Sequence, residues 1–563
     1  MVQRSAVKKA GNDRLAHVKN DLNAQVLIIG GGINGIATFR DLALQGIKVL
    51  LVERNDYCSG ASAASSHMVH GGVRYLENGE FRLVKESLQE RNRLLASAPH
   101  YVKPLMTTIP MFSIFSGLFS APLRLLTHKQ GKPSERGAFL IKAGLIMYDT
   151  FGRNGGRMPR HSFLGGRKSH QLLPALNKDV KFTATYYDAA MESPERLALD
   201  VLKDGLRAGK HARAANYVAA VGQKDGKVIL RDSITGEEFQ VKADVIVNTT
   251  GPWTDLTNED LGISTKYMGG TKGSHIVLDN DELFKACDNR EIFFENRDGR
   301  IVLMYPLLGK VLVGTTDIPH DMSQPAVCTE EEVEYFFDLV KYVFPNIKIS
   351  KKQIVFRFSG VRPLPATDDL LPGFVSRDYR IVRTSNEGET PWLSLVGGKW
   401  TTFRALGEHL SSEVLEILGA SRKVSTESMT IGGGAGFPMD QAGQDKWAKD
   451  HAKGVSVARA KQLLNRYGTS AAEVIAYIAQ TEDQLLKHCA DYSEAEIRFL
   501  VETEEIVHLA DLVHRRTSLS FIGALNENLL SELADIVGKQ LGWTAAQKKA
   551  ETQSITLEIG SGK

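Results

Sequence analysis

Cysteine is scarce in this sequence, whose 563 residues include four. The four are scattered without CxxC spacing, which suits a reducing compartment and gives no sign of a structural zinc site. An excess of either charge is also missing, because 69 Lys and Arg residues face 66 Asp and Glu residues, for a net charge of +3. We therefore expect no metal and no nucleic-acid partner.

The N-terminal residues lack the apolar core of a secretory signal. Residues 1–24 are polar and carry both charges, with Lys8 and Lys9 beside Asp13 and Asp21. They are predicted to form a short disordered or docking extension, with a transit peptide as the alternative. The remaining length exceeds one typical domain core, so two or three domains are expected.

What the sequence does contain is a nucleotide-binding pattern across residues 25–54. An apolar run is followed by Gly30, Gly32 and Gly35 in G-x-G-x-x-G order at the start of a helix, and a second apolar run ends at Glu53. The glycines let the backbone approach a pyrophosphate at the helix N-terminus, and the acid can accept from a ribose 2′-hydroxyl. This order predicts dinucleotide binding and disfavours NADP, which carries a 2′-phosphate.

Two later stretches favour FAD over NAD. ADVIVNTTGPW, residues 243–253, predicts a buried strand that ends in a Thr-Thr-Gly turn. WLSLVGGKWTT, residues 392–402, predicts a strand followed by the entry to a helix. A nucleotide-binding fold that stops after its first β-α-β unit and resumes twice is typical of two-domain FAD oxidoreductases.

The motifs together resemble the FAD-dependent glycerol-3-phosphate dehydrogenases of the respiratory, quinone-linked kind. The resemblance spans about residues 25–405. It rests on the glycine fingerprint and, in order, on ASSHMVHGGVRYLENGEFRLVKESLQER, NTTGPW, KGSHIVL, VGTTD, SGVRPL, SRDY and VGGKWTTFR. His67 stands where the family's pattern usually has Lys, so that basic contact is not carried over.

The resemblance implies which residues hold FAD and substrate. FAD is expected to contact the glycine loop, the Ser-Ser and His-Gly-Gly segment and two later turns. Its residues would be Gly30, Gly32, Gly35, Glu53, Ser65, Ser66, His70, Gly71, Gly72, Thr250, Gly251, Gly398 and Thr401. A phosphate needs several cationic or hydroxyl donors. The substrate residues implied are Arg74, Tyr75, Thr316, Arg377 and Lys399.

His275 and Arg362 are the candidate catalytic residues. In the implied reaction a base removes the hydroxyl proton of sn-glycerol 3-phosphate while the C2 hydride passes to flavin N5, giving dihydroxyacetone phosphate. His275 is the preferred base because an unperturbed imidazole titrates near neutrality. Arg362 would stabilise the developing alkoxide, or would hold the phosphate.

Membrane quinone is the expected electron acceptor. The alternatives are a soluble glycerol-3-phosphate oxidase that reduces O₂ to hydrogen peroxide, and a 2-hydroxy-acid or amino-acid oxidase of the same fold. The resemblance also suggests a homodimer, and a peripheral protein on the cytoplasmic side of the inner (cell) membrane, otherwise cytoplasmic.

An apolar stretch supplies the candidate membrane contact. Residues 104–123 are uncharged and long enough to span a bilayer, but they contain three prolines. With the basic residues that follow and the apolar residues 137–151, they are predicted to lie in the headgroup plane and contact lipid. A buried helix and loop of the substrate domain is the alternative.

The expected fold class is α/β: an FAD-binding Rossmann-like domain with an inserted antiparallel-sheet substrate domain and a C-terminal helical cap domain. EAEIRFLVETEEIVHLADLVHRRTSLSF, residues 494–521, has the apolar spacing of an amphipathic helix. The predicted ranges are 25–100, 180–260 and 370–420 for the FAD-binding domain, 101–179 and 261–369 for the substrate domain, and 436–563 for the helical domain.

Overall fold

The computed structural model describes residues 14–73, 80–113, 138–152, 158–296, 300–366, 378–384 and 390–561. Its strands are β1 (Asn23–Ile29), β2 (Val49–Val52), β3 (Met68–Val69), β4 (Val102–Met111), β5 (Ser162–Gly165), β6 (Phe182–Met191), β7 (Ala212–Ala215), β8 (Val218–Lys224), β9 (Lys227–Asp232), β10 (Glu238–Asn248), β11 (Met268–Leu278), β12 (Arg290–Glu295), β13 (Ile301–Leu307), β14 (Lys310–Gly314), β15 (Ile318–Pro319), β16 (Ile354–Pro365), β17 (Arg380–Thr384) and β18 (Trp392–Val396). Its α-helices are α1 (Ala16–Lys19), α2 (Ile33–Leu44), α3 (Phe81–Ser97), α4 (Ala138–Gly152), α5 (Gly166–Leu172), α6 (Pro194–Leu206), α7 (Thr254–Asp260), α8 (Asp281–Cys287), α9 (Glu330–Val343), α10 (Phe403–Ile417), α11 (Gln441–His451), α12 (Val457–Tyr467), α13 (Ala471–Ile478), α14 (Glu494–Thr503), α15 (Leu509–Asp511), α16 (Glu527–Leu541) and α17 (Ala545–Ser561).

The first sheet has the strand order β17-β18-β10-β1-β2-β7, with β9 and β8 extending it from β10. The central pairs, from β18 to β7, are parallel. Val26 and Ile28 of β1 pack in one hydrophobic cluster and Leu27 and Ile29 in another, so the strand is covered on both faces. This explains its continuous apolar run. The carboxyl ends of these strands meet at one edge, where such sheets bind nucleotides.

The second sheet has the order β15-β11-β14-β13-β12-β4-β6-β3, with β16 also pairing with β11 and β5 with β6. Its pairs are antiparallel except for the parallel pair of β12 and β4. Ile276 and Leu278 of β11 pack in a cluster with Phe336 of α9. Since side chains alternate along a strand, His275 lies on the opposite face.

Two expectations differ from the structure. Residues 104–111 of the apolar stretch belong to β4, which pairs with β6 and β12 and is largely buried, so they do not lie in a headgroup plane. Residues 114–123 are outside the described residues.

The boundary at residue 180 also differs, because β6 lies in the second sheet, so the chain returns to the first sheet only after Met191. No helix in the described ranges is long and apolar enough to cross a bilayer.

Helices α11 to α17 form a separate hydrophobic cluster, with Leu463, Ile497 and Leu533 among its buried members. The single helix expected across residues 494–521 is interrupted: α14 ends at Thr503, and Glu505 has a φ of +49°. At the other end of the chain, Leu15 and Val18 are buried in the first domain, so residues 14–22 are docked. The expected α/β class, with an antiparallel-sheet domain and a helical C-terminal domain, is confirmed.

Candidate active site

The glycine-rich loop follows β1 and leads into α2. Gly30 has a φ of +108°, a backbone region that favours glycine. A Cβ on Gly35 would lie 2.0 Å from the Gly30 carbonyl oxygen and 2.6 Å from the Thr249 hydroxyl. Gly32, the residue before the helix, has extended backbone. The loop therefore packs without side chains at the N-terminus of α2, the end of a helix that favours an anionic group, where the Ile33 N–H donates to the Ser62 hydroxyl at 3.0 Å.

Glu53 follows β2 and lies beside this loop. Its Oε2 accepts a hydrogen bond from the Gly31 N–H at 2.7 Å, and its Oε1 accepts one from the Asn55 N–H at 2.9 Å. Burial raises the pKa of the Glu53 carboxyl, against the effect of these two donors. The acid is fixed where the ribose of a dinucleotide lies in folds of this type.

Asn34, in the first turn of α2, is a residue that the motif left unassigned. Its side-chain oxygen is buried without a hydrogen-bond partner among the described residues. A buried acceptor left in this way costs about 1–3 kcal/mol. A Cβ on Gly398 would come within 2.7 Å of its amide nitrogen. The side-chain-free loop, Glu53 and this unpaired oxygen fit a dinucleotide cofactor. Asn34 occupies a variable position of the motif, so the pattern gives no signal for it.

The Thr-Thr-Gly turn after β10 packs on the glycine loop. A Cβ on Gly30 would lie 2.8 Å from the Thr249 carbonyl, and the Thr249 hydroxyl donates to the Gly30 carbonyl at 3.0 Å. Thr250 donates its hydroxyl to Asn248 Oδ1 at 2.7 Å, within the turn. Gly251 has a φ of +62°. The turn is therefore close to the proposed cofactor, but the Thr250 hydroxyl is already bonded.

The segment after β18 contacts the His-Gly-Gly segment. Gly398 has a φ of +115°. The Thr401 hydroxyl lies 3.2 Å from both the backbone nitrogen and the carbonyl oxygen of His70, so it can accept from one and donate to the other. Segments more than 300 residues apart thus meet at one edge of the first sheet.

Gly71 is required for packing. Its N–H lies 2.9 Å from the Tyr148 hydroxyl and 3.1 Å from Asp188 Oδ1, so the protein itself occupies this donor. A Cβ there would lie 2.4 Å from Leu88 and 2.5 Å from the Tyr148 hydroxyl. Gly72 has a φ of +76°. The Gly71 N–H is therefore already hydrogen-bonded within the protein, and these bonds compete with its expected contact with the flavin.

His67 is a buried, neutral residue. Its N–H donates to the Ser65 hydroxyl at 3.3 Å, and its Nδ1 lies 3.2 Å from the Met191 carbonyl oxygen. The ring packs between Phe358 and Phe521. Burial lowers the pKa of His67 to about 4, against the hydrogen bond to Met191.

We expect His67 to make the protein less stable in acid. The unfolded chain takes up a proton near pH 6.5, whereas folded His67 does so only near its pKa of about 4, so the free energy of unfolding falls as pH drops below 6.5. His67 should account for about 2 kcal/mol of the fall in the free energy of unfolding between pH 7 and pH 5. Denaturant unfolding at both pH values should show a smaller acid loss in His67→Gln than in the parent. Equal losses would contradict a depressed pKa.

His275 is held rigidly on the second sheet. Its Nε2 lies 2.8 Å from the Ser66 hydroxyl, so a serine expected to contact FAD bonds the candidate base instead. The imidazole stacks on Phe358 with centroids 4.8 Å apart, and a Cβ on Gly314 would lie 2.2 Å from its Cδ2. Burial first, then the Arg362 guanidinium, lower the pKa of His275 well below its usual value. The imidazole is therefore neutral.

Arg362 of β16 is fixed by the segment after β14. Its Nη1 donates to Asp317 Oδ1 at 2.9 Å, and its Nη2 donates to the Thr315 hydroxyl at 3.0 Å and to the Thr316 carbonyl at 2.8 Å. The guanidinium lies over Gly273, where a Cβ would come within 2.3 Å of Nη2. The two candidate catalytic residues therefore lie on neighbouring strands with their positions set.

The Thr316 hydroxyl is occupied. It donates to Glu332 Oε1 at 2.6 Å and accepts from the Ser274 N–H at 2.9 Å, and the residue is buried. Glu332 in turn pairs with the buried Lys272 at 2.8 Å. The Thr316 hydroxyl therefore belongs to a hydrogen-bond network with Glu332 and Lys272, while its carbonyl accepts from Arg362 Nη2.

The remaining substrate candidates are only partly described. Lys399 donates its ammonium to the Ser87 hydroxyl of α3 at 2.9 Å. Arg74, Tyr75 and Arg377 lie outside the described residues.

Known proteins are similar to this chain along nearly all its length. The family profile described as FAD dependent oxidoreductase matches residues 25–404, and that of the C-terminal domain of alpha-glycerophosphate oxidase matches residues 424–548. Glycerol-3-phosphate dehydrogenase of Synechocystis sp. is 34% identical over 557 residues, covering 94% of this chain and 95% of the relative. D-erythritol 1-phosphate dehydrogenase of Brucella abortus is 31% identical over 498 residues, covering 87% and 93%.

A solved structure has the same fold. It is the glycerol-3-phosphate dehydrogenase from Bacillus halodurans complexed with FAD, with a TM-score of 0.75, 22% identity, and coverage of 98% of this chain and 97% of the other. The expected resemblance and the expected cofactor, FAD, are confirmed. The chain belongs to the family of FAD-dependent glycerol-3-phosphate dehydrogenases and oxidases.

Proposed function

We propose that the protein oxidises sn-glycerol 3-phosphate to dihydroxyacetone phosphate and passes the electrons to a membrane quinone. The observation that carries this proposal is the neutral imidazole of His275, fixed near the Arg362 guanidinium on the sheet face that meets the FAD segments. Relatives named for glycerol-3-phosphate dehydrogenation, 34% and 30% identical to this chain, support the substrate.

His275 accepts the C2 hydroxyl proton in this proposal. Its lowered pKa keeps the imidazole unprotonated, and its burial excludes water from the proton transfer. Arg362 stabilises the negative charge that develops on the same oxygen. FAD, held at the glycine loop beside Glu53 and Asn34, would supply the two-electron acceptor for the C2 hydride.

The phosphate is assigned to Arg74, Tyr75, Arg377 and Lys399 on the strength of their motifs. Planar guanidinium groups form charge-assisted, bidentate bonds with phosphate oxygens. Thr316 contributes through its carbonyl, which holds Arg362, because its hydroxyl is bonded elsewhere.

Peripheral attachment to the cytoplasmic face of the cell membrane is proposed to use α4. This helix exposes Ile146 (52%) and Met147 (37%) to solvent, and Lys142 is exposed one turn earlier. An apolar face with a basic neighbour can enter the headgroup region of anionic lipid.

We expect the double variant Ile146→Asn, Met147→Asn to lose affinity for lipid vesicles without losing activity toward a soluble acceptor. Each apolar side chain withdrawn from lipid removes about 1.5–3 kcal/mol of burial. Sedimentation with anionic vesicles measures the change, and Leu256→Asn, at an exposed leucine of α7 (42%), is the matched control. Equal binding by parent and double variant would exclude α4 from the attachment.

O₂ is the second candidate acceptor, because the C-terminal profile takes its name from an alpha-glycerophosphate oxidase. Turnover of sn-glycerol 3-phosphate should therefore be measured against a soluble quinone and against O₂, with hydrogen peroxide assayed in parallel. Quinone reduction without hydrogen peroxide supports the proposal. Hydrogen peroxide formed as fast as the substrate disappears would instead show that the protein is an oxidase. A higher kcat/KM for D-erythritol 1-phosphate than for sn-glycerol 3-phosphate would contradict the proposed substrate.

A further inference from the structure

The turn after β2, residues 53–57, joins the FAD-binding domain to the C-terminal domain. A Cβ on Gly31 would lie 2.8 Å from Glu53 and 2.9 Å from Tyr57, so the turn packs directly on the glycine loop. Tyr57 donates its hydroxyl to Glu505 Oε2 at 2.9 Å, between α14 and α15. One end of this short turn thus bonds the glycine loop, and the other bonds the helical domain.

Asp56, within the turn, binds two arginines of the C-terminal domain. Its Oδ2 accepts from Arg515 Nε at 2.5 Å and from Arg516 Nη1, and its Oδ1 accepts from Arg516 Nη2 at 2.8 Å and from Asn216 Nδ2 at 3.0 Å. Asp56 and Arg516 are fully buried. Burial alone would raise the pKa of Asp56, but Arg516 and Arg515 outweigh it and bring the pKa to about 2.

Both arginines also form hydrogen bonds within the C-terminal domain. They end a π-helical turn, Leu512–Arg516, and their consecutive side chains both donate to one carboxylate. Arg515 Nη2 also donates to Asp511 Oδ1 at 2.7 Å, and Arg516 Nη2 donates to the Glu504 carbonyl at 2.8 Å. A double charge-assisted contact of this kind fixes geometry as well as supplying energy.

We propose that the C-terminal domain forms part of the FAD site, with Asp56, Arg515 and Arg516 as positioning residues for Glu53. By holding Asp56, the two arginines fix the Glu53 carboxylate and the Gly31 N–H before the cofactor binds. FAD then binds without the cost of ordering this turn. By linkage, bound FAD strengthens the docking of the C-terminal domain by the same factor.

The test measures FAD affinity directly, so it depends neither on turnover nor on the identity of the substrate. FAD is titrated into apoprotein, and the quenching of its fluorescence gives Kd. Arg515→Gln should weaken FAD about tenfold, within the usual range of such coupling. Arg515→Lys, which keeps the charge but not the fork, should fall between it and the parent.

Lys203→Gln is the matched control. Lys203 also bridges the two domains, through an ion pair of 2.6 Å with Glu504, which keeps its second partner Arg196. This variant should lose apoprotein stability in a thermal melt and keep the parent's Kd for FAD. An Arg515→Gln apoprotein that melts earlier but binds FAD as the parent does would overturn the proposal. Equal weakening of FAD by Lys203→Gln would overturn it too. If Arg515→Gln does not fold, Arg515→Lys decides by the same two readouts.

Discussion

The His275→Gln enzyme is expected to keep its FAD and to lose kcat by about 10²–10⁴-fold, the usual contribution of a positioned general base. Glutamine can still bond the Ser66 hydroxyl, which lies 2.8 Å from His275 Nε2, but it cannot take up a proton near neutral pH. The KM for sn-glycerol 3-phosphate should change little, because the phosphate is assigned to other residues.

The pH profile sharpens this prediction. Because burial and Arg362 depress the pKa of His275, the imidazole stays unprotonated well below pH 6.5. Protonation of His275 should therefore not reduce kcat between pH 7.5 and pH 6. Steady-state kinetics over this range and the flavin content of the purified variant are the measurements. A His275→Gln enzyme with a kcat near that of the parent would remove His275 from the mechanism.

Gly35→Ala is expected to give protein that is purified without FAD. The added Cβ would lie 2.0 Å from the Gly30 carbonyl oxygen and 2.6 Å from the Thr249 hydroxyl, so the glycine loop or the Thr-Thr-Gly turn must move. Alanine is otherwise the better helix former, by about 1 kcal/mol. Any loss must therefore come from the clash. Visible flavin absorbance per mole of protein is the measurement.

Gly165→Ala is the matched control for that substitution. Gly165 precedes α5 with a φ of −73°, and a Cβ there would meet no atom within 4 Å. This variant should contain as much FAD as the parent. A Gly35→Ala protein with full flavin content would contradict the close packing of the loop on which the cofactor site depends.

Local patterns predicted the β-α-β unit of the first sheet, which the structure confirms in β1, α2 and β2. The spacing of Gly30, Gly32 and Gly35 and the acid at Glu53 reflect rules of backbone conformation and charge, which act within a short stretch of chain. Asn34 could not be found in this way, because its unpaired oxygen is recognisable only once the surrounding atoms are placed. The same is true of the Thr316 hydroxyl, whose partner Glu332 lies on another element.

The errors in chain organisation have a related cause. Residues 104–111 form a strand buried between β6 and β12, and such a strand is as apolar as a segment that contacts lipid. The helix expected across 494–521 breaks where Glu504 bonds Arg196 and Glu505 bonds Tyr57. Periodicity along one segment holds no information about partners more than 300 residues away.

The proposed function requires that this protein binds FAD and reduces it with sn-glycerol 3-phosphate. The most direct measurement is the visible spectrum of the purified protein under anaerobic conditions, before and after addition of this substrate. We predict a yellow protein whose flavin absorbance bleaches on addition, with no acceptor required. A yellow protein that stays yellow with sn-glycerol 3-phosphate would contradict the proposed substrate. The substrate would then have to be sought among 2-hydroxy acids and amino acids.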